Sequence, residues 1–150
     1  MESFFYKGKD LAYIIPTIYS LAAPGTSVYV LSPWLNIFVP LIIPWKRDER
    51  NISFLDLIVS ERQQGINSIF FVSGMAKNDK ETQTSISELT KRGFSINIVE
   101  NLHSKAVVGD LLMYQGSANL TYSGIYNNIE AVFVRTLNNQ EEVLSGLLSS

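Results

Sequence analysis

The chain has 150 residues, enough to close one hydrophobic core without disulfide or metal staples, so a single domain over 1–150 is the starting expectation. A hydrophobic fraction of 46% against 17% charged residues excludes a disordered chain, and the absence of cysteine excludes disulfides, thiolate nucleophiles and cysteine-ligated zinc. A lone histidine argues against a histidine-built metal centre, because catalytic zinc takes three protein ligands with imidazole prominent among them, and no cofactor is expected. The net charge of −2 is not that of a protein drawn to nucleic acid by charge alone. A nucleic-acid partner would need a local basic patch, and the candidates are Lys46 with Arg47 and Arg50, Lys77 with Lys80, and Lys91 with Arg92. Each is otherwise a solvated loop or helix charge.

Residues 11–23 are apolar enough to suggest a secretory signal. Pro16 interrupts them, however, charges of both signs precede them (Glu2, Lys7, Lys9, Asp10), and a strand-like Ser27-Val28-Tyr29-Val30-Leu31 follows. They read better as a first helix over 10–22, ended by Pro24-Gly25 and followed by a buried strand over 27–31. No apolar run reaches the length of a membrane span, so a soluble, cytoplasmic protein without stable membrane insertion is expected. The periodicity then predicts a helix over 52–63 with Leu55, Ile58 and Val59 on one face and Gly65 as its stop. A strand over 67–72 ended by Ser73-Gly74, a helix over 80–92 closed by Gly93, and strands over 94–99, 104–108, 111–114 and 129–134 come next, with a closing helix over 138–148. Helix and strand alternate in the first half, and a tight Gly109-Asp110 turn in the second suggests a hairpin. The expected class is α/β, a mixed β-sheet flanked by helices, without internal repeat or linker.

Residues 34–45, W-L-N-I-F-V-P-L-I-I-P-W, stand apart. They are strongly apolar, yet Pro33, Pro40 and Pro44 forbid a regular helix or central strand through them. The segment is either a loop folded into the core, an oligomer contact, or a wall of a substrate cleft, because apolar surface of that size rarely stays exposed on a monomer.

The chemistry concentrates after His103, where the sequence runs His103-x-Lys105-x4-Asp110 and shortly afterwards Gly116-Ser117-x-Asn119. His103 and Lys105 are two apart at an expected strand, so both should project to one side, and Ser117 and Asn119 repeat that spacing after the neighbouring strand. One nucleophile or base, one cation and two neutral donors are what an anionic phosphoryl centre asks for. Taken singly, each has a plainer reading: a hydrogen-bonded structural histidine, a solvated strand lysine, and turn chemistry after Gly116.

The arrangement resembles the phospholipase D superfamily, whose signature is H-x-K-x4-D with a following G-S-x-N and whose members include phospholipases, lipid-headgroup transferases and small nucleases. An accidental H-x-K-x4-D falls in roughly one chain in a hundred of this length, and the adjoining G-S-x-N makes coincidence rarer still. Glu130, in Asn128-Ile129-Glu130, stands at about the family's place for a later acidic residue. The resemblance implies that His103 is the nucleophile forming a covalent phosphohistidine, without a metal. It implies further that Lys105, Ser117 and Asn119 hold the nonbridging oxygens, and that Glu130 accepts a hydrogen bond from the second imidazole nitrogen. Asp110, after Gly109 at a turn, is expected to support the hairpin or nearby loops rather than touch substrate.

The family's mechanism uses two histidines, one attacking phosphorus and one protonating the leaving oxygen. A chain with a single copy of the motif completes such a site only with a second chain, so the resemblance implies a homodimer with a composite active site on its two-fold axis. The two imidazoles would then titrate as a pair. Small single-motif members resemble nucleases, which makes nucleic acid the expected substrate. The alternatives are a phospholipase or phosphatidyl transferase, with residues 34–45 contacting acyl chains, and a noncatalytic binding domain of the same fold.

Overall fold

The computed structural model describes residues 2–47 and 50–149 of the chain. In chain order the elements are β1 (Glu2–Lys7), α1 (Leu11–Ser20), β2 (Ser27–Leu31), β3 (Pro40–Ile42), β4 (Asn51–Ser53), α2 (Phe54–Gln63), β5 (Asn67–Ser73), α3 (Lys80–Lys91), β6 (Ser95–Val99), β7 (Ala106–Val108), β8 (Leu112–Gly116), β9 (Ile129–Thr136) and α4 (Gln140–Ser149). Seven strands form one sheet in the order β1-β9-β8-β7-β2-β5-β6, and β3 pairs with β4 in a separate two-stranded ribbon. The β2, β5 and β6 neighbours are parallel, and every pairing from β2 through β7, β8 and β9 to β1 is antiparallel. This is the mixed α/β sheet the alternation predicts.

Strand periodicity divides the interior in two. Val28 and Val30 of β2 join Phe70, Val107, Tyr114 and Val132 in a large core against α1, α2 and α3. Leu31 instead joins Ala106, Val108 and Met113 in a smaller core on the opposite face, where Leu147 of α4 packs. The helix boundaries follow local chemistry. Ser53 caps α2 by accepting from the Asp56 N–H at 3.0 Å, and Asp79 caps α3 by accepting from the Thr82 N–H at 3.0 Å. Gly65 and Gly93 follow α2 and α3 at φ of 87° and 79°, where a side chain would be strained.

Several expected boundaries shift. The first helix begins at Leu11 after a short 3₁₀ turn over Gly8–Asp10, and Pro16 lies inside it. Residues 52–53, placed in a helix by periodicity, belong with Asn51 to β4 instead, because their backbone pairs with β3 before the Ser53 cap starts the helix. The closing helix begins at Gln140. The strand expected from residue 104 begins at Ala106. β1, which the sequence pattern did not signal, closes the sheet edge by pairing Phe4 with Phe133 and Phe5 with Val132. Gly109 has no positive φ; it is small because a Cβ there would press on Ile18 at 2.6 Å and the Leu112 carbonyl at 2.8 Å.

Of residues 34–45, Leu35, Ile37, Val39, Leu41 and Ile42 are buried in the core, with Phe38 48% exposed between them and Trp45 52% exposed at the end. Their main chain is satisfied from two helices. The Leu35 and Ile37 N–H groups donate to the buried hydroxyls of Thr82 and Ser85 in α3, each at 3.1 Å. The first-turn N–H groups of Phe54 and Leu55 donate to the Val39 and Ile37 carbonyls at 2.9 and 2.7 Å. Pro40 heads β3, at the first position of a strand, where proline is tolerated. Ile37→Ala should therefore cost about 2–5 kcal/mol in urea unfolding, whereas Phe38→Ala should stay within about 0.5 kcal/mol.

Candidate active site

Leu31 of β2 pairs with Ala106 of β7, and Ala106 pairs in turn with Gln115 of β8. Residues leaving β2 (Ser32, Trp34), entering β7 (His103, Lys105) and leaving β8 (Ser117, Asn119) therefore emerge at one end of the sheet. Glu130, in the first residues of β9, joins them: Gly116 pairs with Val132, and the Ser117 N–H donates to the Ala131 carbonyl at 2.9 Å. The Gly116 N–H donates to the Lys105 carbonyl at 3.1 Å, carrying the β7–β8 ladder one step into the site. Gly116 has to be glycine, because a Cβ would collide with the Ala131 carbonyl across the ladder.

His103 is exposed, and its ring makes no hydrogen bond among the described residues. Its main chain is held on both sides. Leu102 is buried in the smaller core, and the Ser104 hydroxyl donates to the Leu147 carbonyl of α4 at 2.8 Å. His103 and Lys105 precede the strand rather than alternate along it, and the Lys105 ammonium donates to the His103 carbonyl at 3.0 Å. That bond folds the cation back onto the His103 main chain.

The Ser117-x-Asn119 segment is locked by groups the motif does not contain. The buried Tyr114 hydroxyl donates to the Ala118 carbonyl at 2.9 Å and accepts from the Ala118 N–H at 3.0 Å, grasping the residue between Ser117 and Asn119. Burial raises the Tyr114 phenol well above its usual ionisation, with the nearby Glu130 charge adding to the effect, so it stays protonated as a donor. Ser32, 1% exposed at the end of β2, accepts from the Leu120 N–H at 2.9 Å. The Asn119 side-chain oxygen accepts from the Trp34 N–H at 3.2 Å, which turns the amide NH₂ of Asn119 away from that contact and leaves it as the donor.

The Ser117 hydroxyl donates to one Glu130 oxygen and accepts from the Ala131 N–H at 2.8 Å, while the Asn128 amide donates to the other Glu130 oxygen at 3.1 Å. In the single chain Glu130 thus engages Ser117 and Asn128. Asp110 lies in the turn at the far end of β7, about 16 Å from Lys105 by strand rise, and makes no hydrogen bond or ion pair among the described residues. Of the basic clusters, Lys77 and Lys80 follow β5 and stand at the site's end of the sheet, whereas Lys91 and Arg92 precede β6 at the opposite end. Lys46, Arg47 and Arg50 are exposed on the β3–β4 connection.

Tyr114, Ser32, Gly8 and Gly124 went unread in the sequence. A Cβ on Gly124 would strike the Asn119 carbonyl and one on Gly8 would strike the Gly124 carbonyl, so the three residues are stacked backbone on backbone. Gly124 lies in a π-helical turn over Ser123–Asn127, a rare geometry that recurs at functional sites. Among the described residues no three Asp, Glu or His side chains gather in one place, and no helix is long and apolar enough to cross a membrane.

This architecture, a seven-stranded mixed sheet whose central strand ends carry the motif, is the phospholipase D-like fold. NucT from Helicobacter pylori superposes with a TM-score of 0.68 at 19% identity, over 97% of this chain and 90% of that one. Nuc from Salmonella typhimurium, described as a phospholipase D family member, superposes with a TM-score of 0.66 at 14% identity, over 98% of this chain and 90% of that one. Phosphatidylserine synthase from Haemophilus influenzae Rd KW20 gives 0.67 at 13% identity, and this chain spans 36% of its length. No protein-family model and no curated protein matches the sequence.

Tyr114→Phe removes both bonds to Ala118 while keeping the ring. It should destabilise the fold by about 1–3 kcal/mol in denaturant unfolding, because two buried backbone groups lose their partner.

Proposed function

We propose that the chain is a metal-independent phosphodiesterase, most simply a nuclease, working through a phosphohistidine at a site shared by two subunits. The observation that carries this is the convergence of His103 and Lys105 with Ser117 and Asn119 at one end of the β7–β8 pair. An imidazole nitrogen of His103 attacks phosphorus, and the bond to the leaving oxygen breaks as that oxygen takes a proton from His103 of the partner subunit. Water then attacks the phosphohistidine, gives up a proton to the partner's His103, and frees His103. Lys105 and the Asn119 NH₂ hold the nonbridging oxygens as charge develops, and Ser117 joins them when its hydroxyl turns from Glu130 to the phosphate. Glu130 supplies the carboxylate that orients the imidazole and positions Ser117, and Gly116 supports the strands that carry the others.

The surface beside the site supports a second copy. Ile129, next to Glu130, is 88% exposed, and Phe4 and Phe133 form an exposed ring pair on the same strands with centroids 4.8 Å apart. Nucleic acid is favoured over phospholipid because Leu35, Ile37, Val39, Leu41 and Ile42 of residues 34–45 are spent in the core, leaving the aromatic rings of Phe38 and Trp45 as the segment's large exposed apolar side chains.

Incubation with labelled DNA, RNA and phosphatidylcholine vesicles in EDTA tests this reading. Nucleic acid should be cut, and His103→Ala should lower the rate by about 10³-fold or more. The active species should scatter light as a dimer, and its rate should fall on both the acid and alkaline sides of an optimum, since one imidazole must be neutral while the other is charged. Cleavage retained by His103→Ala, activity abolished by chelation, or a fully active monomer would overturn it.

A further inference from the structure

Resting on the nuclease reading, we infer that Tyr122, braced by Tyr126, is a base-stacking subsite that selects single-stranded nucleic acid beside the scissile phosphate. Tyr122 lies three residues beyond Asn119, is 52% exposed, and stacks at a tilt on Tyr126 with centroids 5.1 Å apart. The Tyr126 hydroxyl donates to the Pro40 carbonyl, so the supporting ring is fixed to residues 34–45. That segment runs alongside the π-helical turn: Leu35 bridges Leu120, and the Asn36 N–H donates to the Leu120 carbonyl at 2.8 Å. Phe38, lying between these two anchor points, is an exposed ring on that segment.

The subsite is continuous with the phosphate-binding groups. Asn119 accepts from the Trp34 N–H through its side chain and from the Thr121 N–H through its carbonyl, so the ring-bearing segments on both sides are bonded to the same residue. Charge gives the second argument. A chain of net charge −2 cannot draw much affinity from phosphate contacts alone, whereas stacking on an aromatic face adds sequence-tolerant affinity for every base it receives. Bases in a duplex already stack on their neighbours and are closed to such a ring, so the subsite favours single strands.

Equilibrium binding to the His103→Ala protein, which keeps the substrate intact, separates stacking from phosphate contact. The probes are a twelve-nucleotide thymidine oligomer, its abasic counterpart with the same sugar-phosphate chain, the corresponding duplex, and phosphatidylcholine vesicles. The thymidine oligomer should bind about tenfold or more tighter than the abasic one. Adding Tyr122→Ala should erase that difference, and Tyr122→Phe should retain it. Equal binding of the two oligomers, or a difference that survives Tyr122→Ala, overturns the subsite while leaving the nuclease reading in place. Binding to vesicles with none to either oligomer overturns both.

Discussion

The antiparallel pairing of β7 with β2 is the constraint on which the molecule turns. Up to β6 the sheet grows by parallel neighbours whose connections carry helices, and a further parallel strand would need another long crossover. By setting Leu31 against Ala106, the chain instead reverses and continues the sheet with antiparallel neighbours. The reversal brings the exit of β2, the entry of β7, the exit of β8 and the entry of β9 to the same end. Each contributes a group to the candidate site: Ser32 and the Trp34 N–H, His103 and Lys105, Ser117 and Asn119, and Glu130. A parallel β7 would have carried His103 to the opposite end of the sheet.

Much of this was legible because local and tertiary forces agreed. β2 falls on the predicted residues, and α2 and α3 end where Gly65 and Gly93 said they would, since a left-handed glycine needs no tertiary help to stop a helix. The motif spacing singled out His103, Lys105, Ser117 and Asn119, which the fold brings to one end of the sheet. What stayed illegible depended on distant partners. β1 is a strand only because β9 offers it an edge. Residues 51–53 are extended only because β3 lies beside them, and Tyr114 looks like any core aromatic until its hydroxyl is seen to reach both backbone atoms of Ala118. The start of β7 was placed two residues early because alternation cannot tell an extended loop from a paired strand.

Residues 34–45 show how an irregular apolar segment is made compatible with a core. A buried loop normally strands its amide groups, and here two helices of different character resolve the problem. α3 is polar for a packed helix, and its buried Thr82 and Ser85 hydroxyls are explained by the amides they receive. α2 contributes the N–H groups of its first turn, which every helix leaves without an internal partner. The same docking holds Trp34 where its N–H can orient Asn119, so the segment's packing and the site's geometry share one cause.

The contact of Gly8 with Gly124, and of Gly124 with Asn119, has a kinetic side. Glu2 pairs with Arg135, so the strand leading to Gly8 waits for a partner on the order of 130 positions away before it can dock. Until then Phe4 and Phe5 sit on an unpaired strand, and the π-helical turn lacks the surface against which its backbone closes. The main chain of Asn119 is thus backed by the longest-range strand pairing in the fold. A chain that has collapsed around its parallel half can look nearly native while the main chain around Asn119 still lacks the backbone it closes against.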